Sequence, residues 1–170
     1  IILDASGNAF SNAVTLRADA GNETFGNITF VDSGAVKIET SANTDADGEL
    51  LIDGSTDGAV GGNLSITATT GNITQGVALA VGGTSTFITS ANDATITLAT
   101  ASNAFTGALL ITTNDATGAD ADVTIDGGTT ALILAASTID GDLTVRSGNA
   151  SGIIDNGLVT VGGNLAATTD

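Results

Sequence analysis

The chain has 170 residues, enough for one ordinary domain, with 42% hydrophobic residues and a formal net charge of −16 from 19 acids against three cations. Arg17, Lys37 and Arg146 cannot neutralise a phosphate backbone or an anionic bilayer, which excludes nucleic acid and acidic membranes as partners. With no Cys, His, Trp, Tyr, Met or Pro, the sequence also lacks disulfides, thiolate and imidazole metal ligands, and the commonest general base.

Taken in chain order, apolar residues alternate with polar ones at Val14/Leu16, Ile28/Phe30, Val36/Ile38, Leu50/Ile52, Leu64/Ile66 and Leu79/Val81. The same alternation continues at Ile96/Leu98, Leu109/Ile111, Val123/Ile125, Leu132/Leu134, Leu143/Val145 and Val159/Val161. A spacing of two, in a chain rich in Thr, Gly, Asn and Asp, predicts short strands rather than helices. Gly, Asn, Asp or Ser follows each pair within a few residues and supplies the turns. No apolar run approaches the ~20 residues of a membrane-spanning helix. The opening Ile1-Ile2-Leu3-Asp4 has neither the basic flank nor the cleavage site of a signal peptide, so the expectation is a cytosolic protein or a segment of a longer one.

The strands themselves recur. Val14 to Val36, Ile28 to Leu50, Phe87 to Leu109, Val123 to Val145 and Leu143 to Leu165 are each 22 residues apart; Val60 to Val81 is 21 and Ile73 to Ile96 is 23. No 22-residue unit can bury its own apolar side chains, whereas stacked units bury them continuously. A longer repeat overlies the short one. Asn8, in Ser6-Gly-Asn-Ala-Phe10, matches Asn103, in Ala101-Ser-Asn-Ala-Phe105; Asp45-Ala-Asp47 matches Asp120-Ala-Asp122; Val81-Gly-Gly83 matches Val161-Gly-Gly163. These matches divide a single domain, 1–170, into copies 1–95 and 96–170, the second shorter by about one coil. The expected fold is all-β, a right-handed parallel β-helix (β-solenoid) of about eight coils of 21–23 residues. A tandem immunoglobulin-like sandwich is the competitor, and the lack of Trp and Tyr argues against it.

The runs Val60-Gly-Gly-Asn-Leu-Ser-Ile-Thr-Ala68, Gly71-Asn-Ile-Thr-Gln75, Val81-Gly-Gly-Thr-Ser-Thr-Phe87 and Asn103-Ala-Phe-Thr-Gly107 resemble the repeats of filamentous-haemagglutinin-like large bacterial exoproteins. The resemblance implies a right-handed parallel β-helix, secretion across an outer membrane, and an extracellular, cell-surface role as the stalk of an adhesin. The alternative is the subunit of a self-assembling extracellular filament or sheath. Expected partners are other copies, joined laterally or end to end, or neighbouring cell-surface and host molecules.

One loop has the chemistry of a cation site. Asn43, Asp45, Asp47 and Glu49, with Gly48 between the last two and Asp53 beyond, place oxygen ligands at alternate positions as in the first half of a calcium loop. The bidentate Glu of an EF-hand is missing, because position 12 of the loop is Gly54, so an Asp-rich solvated turn stands as the alternative to calcium. The related Asp120, Asp122 and Asp126 lack the matching Gly. Catalysis is not expected. A carboxylate pair such as Asp120 and Asp122 satisfies one requirement of glycoside hydrolysis, but the aromatic platforms and clustered cations that hold sugars are absent. Thr-x-Thr pairs at 67/69, 84/86 and 95/97 do not repeat at a constant interval. The Asn-x-Ser/Thr sequences at Asn22, Asn27, Asn63, Asn72 and Asn149 read as stacked turn asparagines. Residues 58–92 carry no charge, whereas residues 1–57 hold ten acids, so the uncharged length is a candidate lateral contact surface.

Overall fold

The computed structural model describes residues 1–18, 26–39, 49–52, 59–116, 118 and 120–170, with Glu49 described through its backbone alone. The first turn carries β1 (Ile2–Leu3) and β2 (Val14–Leu16), followed by β3 (Ile28–Asp32), β4 (Val36–Glu39), β5 (Glu49–Ile52) and β6 (Ala59–Val60). The next two turns hold β7 (Leu64–Ala68), β8 (Ile73–Gln75), β9 (Ala80–Val81), β10 (Ser85–Asn92), β11 (Ile96–Leu98) and β12 (Ala104–Phe105). The chain continues through β13 (Leu109–Asn114), β14 (Val123–Asp126), β15 (Leu132–Leu134), β16 (Ser137–Ile139) and β17 (Leu143–Ser147). It ends with β18 (Ile153–Asp155), β19 (Val159–Val161) and β20 (Leu165–Thr169).

Strands stack between turns, never as hairpins within one, and every strand pairing among the described residues is parallel. The first sheet advances in the order β1-β3-β7-β10-β13-β15-β18, with β16 and β19 extending it alongside. The second runs β2-β5-β4-β8-β11-β14-β17-β20, and a short third sheet is β12-β9-β6. This is an all-β parallel solenoid of about six turns, not the eight expected from dividing the chain by 22. The regular period holds only in part of the molecule: Leu64 pairs with Ser85, 21 residues on, but Ile28 pairs with Leu64, 36 residues on. Intervals longer than 22 residues between stacked partners account for the smaller number of turns.

Alternation places one row of side chains inside and the next outside, and parallel register aligns each row along the stack. In the second sheet Val36, Ile73, Ile96, Val123 and Leu143 follow one another rung by rung, all essentially inaccessible. In the first sheet the row is Phe30, Ile66, Phe87 and Ile111; in the third it is Val60, Val81 and Phe105. Phe10 stacks on Phe30 with ring centroids 5.3 Å apart, and Phe87 meets Phe105 edge-on at 6.3 Å. The three rows meet in one continuous core. Each fully buried Leu, Ile or Phe in it contributes roughly 1.5–3 kcal/mol.

Four of the seven expected spacings need correction. Val60/Val81, Ile73/Ile96 and Leu143/Leu165 are true partners. Phe87 pairs with Ile111 and Val145 with Ile125, each slipped by two residues from expectation. Val14 pairs with Leu50 instead of Val36, and Ile28 with Leu64 instead of Leu50, because β5 enters the second sheet between β2 and β4.

Candidate functional site

The corners that precede the strands carry the most regular polar chemistry. Asn27 Oδ1 accepts the backbone N–H of Asn63 at 2.8 Å, and Asn63 Oδ1 accepts that of Thr84 at 2.9 Å. On the second sheet Asn72 Oδ1 accepts from Thr95 N (2.9 Å), Asp122 Oδ1 from Asp142 N (2.8 Å), and Asp142 Oδ1 from Asn164 N (2.6 Å). Each of these residues stands one position before a strand, where the turning backbone has no ladder partner, so a short side-chain oxygen replaces the missing carbonyl. Asn27, Asn63 and Asn72 are therefore stacked turn asparagines as their sequence context predicts; Asn149 donates through Nδ2 to Thr129 O at 2.7 Å, and Asn22 lies outside the described residues.

A second polar centre is buried. Gln75 and Asn103 exchange reciprocal amide bonds, both 2.9 Å. Asn103, 1% exposed, also accepts from Leu79 N (2.8 Å) and donates to Leu98 O and Asp126 O (both 3.0 Å). One amide thus ties three successive turns. Sequence reading marks Asn103 only as a repeat of Asn8; its partner Gln75 lies 28 residues away, outside the 22-residue period, and gives no signal.

Of the candidate calcium ligands, Asn43, Asp45, Asp47 and Asp53 lie outside the described residues, and Glu49 enters only as the first residue of β5. The related acids do not converge. Asp122 is engaged at its corner, and Asp120 is exposed in the connection before β14. Asp126 is buried, accepting from Gly128 N at 2.8 Å through Oδ1 and from Arg146 Nη1 at 2.9 Å through Oδ2. Arg146 reaches Asp170 on its other side, so one guanidinium clasps three rungs. Among the described residues no group of three or more acids is arranged to hold a metal.

The acids that do gather are different ones. Asp93 stands at a left-handed φ of 62°. Hydrogen bonding to the Asp115 carboxyl above all, then partial desolvation and the charges of Asp115 and Asp120, raises the Asp93 pKa above its ordinary value. Asp115 N in turn donates to Asp140 Oδ2 at 2.9 Å, and a hollow of about 220 Å³ is lined by Asp115, Ala116, Gly118, Asp140 and Gly162.

Three outer surfaces complete the picture. Thr74, Thr97, Thr124 and Thr144 occupy the same outward position on four consecutive rungs, a hydroxyl row hidden in the sequence because the intervals between them vary. The third sheet turns Ala59, Ala80 and Ala104 outward in register, beside a shallow depression of about 330 Å³ lined mostly from the uncharged length. Beside β18–β20, Leu158 and Leu165 are 80% and 61% exposed around a hollow of about 330 Å³.

A family model described as repeats of unknown function (DUF5649) matches residues 54–112, about a third of the chain, a stretch that includes β6 to β12 and most of β13. No curated protein matches the chain. No solved structure matches it either. The chain is thus similar over that stretch to a repeat family whose description assigns no activity, and its architecture is a parallel β-solenoid.

Proposed function

We propose that this chain is a non-catalytic structural segment, the stalk of a large secreted bacterial surface adhesin. The observation that carries the reading is the continuous register of the second sheet from β8 to β20: inward aliphatic rows pass from rung to rung, and side-chain oxygens tie several of its corners. Such a stack converts chain length into reach, since each rung adds ~4.8 Å along the axis. The resemblance of Val60–Ala68 and Val81–Phe87 to filamentous-haemagglutinin-like repeats supports the same role, as does a −16 charge that keeps neighbouring stalks apart. In this reading the protein sits outside the cell, and its partners are surface molecules engaged by other parts of the adhesin. Electron microscopy of intact cells labelled with antibody to this chain tests it. Label is expected on thin fibres standing off the outer surface; label confined to the cell interior overturns it.

The small outward residues of the third sheet, Ala59, Ala80 and Ala104, favour a second reading, an extracellular filament or sheath whose copies join side by side. Sedimentation of the purified chain over a wide concentration range separates the two, because only the filament or sheath subunit grows in mass as concentration rises.

A further inference from the structure

β5 breaks the winding order of the solenoid. Elsewhere in the second sheet each strand lies on the strand of the preceding turn, but the chain passes through β4, returns one rung, and inserts β5 between β4 and β2. It is paired on both sides: Val14, Thr15 and Leu16 face Leu50, Leu51 and Ile52, while Lys37, Ile38 and Glu39 face Glu49, Leu50 and Leu51. The first sheet has no matching insertion, since β1 pairs directly with β3. Between the same two turns, one sheet therefore spans two rungs and the other spans one.

We propose that β5 is an exchangeable strand, and that the second sheet has an alternative closure in which β2 pairs directly with β4. Val14 and Val36 are 22 residues apart, the same interval that joins Leu143 to Leu165 in a settled part of the stack. In that closure Val14 meets Val36, Thr15 meets Lys37 and Leu16 meets Ile38, which repeats the inward-outward-inward order that β5 now satisfies. Closing without this two-residue slip sets Leu16 opposite Thr40 and loses one apolar pair. The inserted arrangement is the ground state, because it keeps two ladders and buries Leu50, Leu51 and Ile52. The closed arrangement removes the rung mismatch between the sheets. β5 suits exchange: Leu51 stands at an outward position where the flanking strands carry Thr15 and Glu39, so Leu50, Leu51 and Ile52 are released with apolar side chains on both faces.

The chain contains no cysteine, which allows a direct test. A disulfide needs Cα atoms within about 7 Å, which adjacent rungs satisfy at ~4.8 Å and rungs two apart do not. Three double variants are oxidised mildly: T15C/L51C for the inserted arrangement, T15C/K37C for the closed one, and K37C/T97C as a control with Thr74 between its positions. T15C/L51C is expected to cross-link at once. T15C/K37C is expected to follow at a rate at least tenfold slower and independent of oxidant concentration, and the control to stay reduced. A T15C/K37C variant that stays reduced, or a control that links equally fast, overturns the proposal. Hydrogen exchange on the unmodified chain reads the same event: amides of Leu50–Ile52 are expected to exchange at least tenfold faster than those of the equally buried Leu143–Val145, and equal protection also overturns it.

Discussion

Asn63 and Asn103 present the same amide in two environments, and the difference sets what its loss costs. Asn63 accepts one backbone N–H at an exposed corner, where water replaces it when the side chain is removed. Asn63→Ala is expected to lower stability by about 1 kcal/mol. Asn103→Ala strands Leu79 N and takes one partner from each end of the Gln75 amide and from two carbonyls inside the stack, and is expected to cost about 3 kcal/mol. Denaturant unfolding of the two variants side by side checks the ratio, and equal losses would mean that the buried amide is not a shared tie. Ser85 presents the converse case. Its hydroxyl is fully buried in the inward row between Leu64 and Leu109 and has no hydrogen-bond partner. Ser85→Ala is therefore expected to leave stability unchanged or raise it by up to ~1 kcal/mol. A clear loss in the same unfolding experiment would show that the hydroxyl is bonded.

At the scale of the elements, the turn between β10 and β11 stores an electrostatic conflict. Its Asp93 has a raised pKa in the folded chain, so folding binds the proton more tightly than unfolding does. The stability this group contributes is fully present below its unfolded pKa and is lost as pH rises through its folded pKa. Asp93→Asn keeps a side chain suited to a left-handed φ and a donor for Asp115 while removing the charge. The variant is expected to melt above the natural chain at neutral pH, with the gap closing in acid; paired melts at the two pH values decide it. At this scale the sequence was also most nearly readable. Of the twelve alternating pairs, every residue except Leu79 lies in a strand. Their partners were harder to read, because a slip of two residues keeps the inside inside. Alternation therefore cannot separate the actual Phe87–Ile111 pairing from Phe87–Leu109. Short strands such as β12 and β16, with two and three residues, carry too little pattern to stand out. The polar centres were legible only where they were local. The corner asparagines announce themselves before each strand, whereas Gln75–Asn103 and Asp93–Asp115 are made by stacking alone.

For the whole molecule, the stack implies that turns are removable units. Deleting residues 64–84 excises β7, β8 and β9 and leaves Asn63 followed by Ser85. It also leaves Ile28, Val36 and Ala59 facing Ser85, Ile96 and Ala104, with inside and outside preserved. The shortened chain is expected to fold cooperatively with a melting temperature within about 10 °C of the original. Deleting 64–74, half a turn, breaks the register of the second sheet against the first and is expected to abolish the cooperative transition. Circular dichroism melts distinguish the outcomes, and equal tolerance of both deletions would contradict a coil-by-coil architecture.

The side-chain bonds at the corners all point the same way. In each one the oxygen belongs to the earlier turn and the N–H to the later: Asn27 to Asn63, Asn63 to Thr84, Asn72 to Thr95, Asp122 to Asp142, Asp142 to Asn164. At the same corners the next backbone N–H of the earlier turn reaches the carbonyl of the later one: Ile28 to Asn63, Leu64 to Thr84, Ile73 to Thr95, Val123 to Asp142, Leu143 to Asn164. Each corner is consequently a two-way clasp, in which either turn alone leaves both an orphan acceptor and an orphan donor. Neighbouring turns complete each other's corners, so the last turn to dock satisfies two polar groups at once and a turn that peels away exposes both.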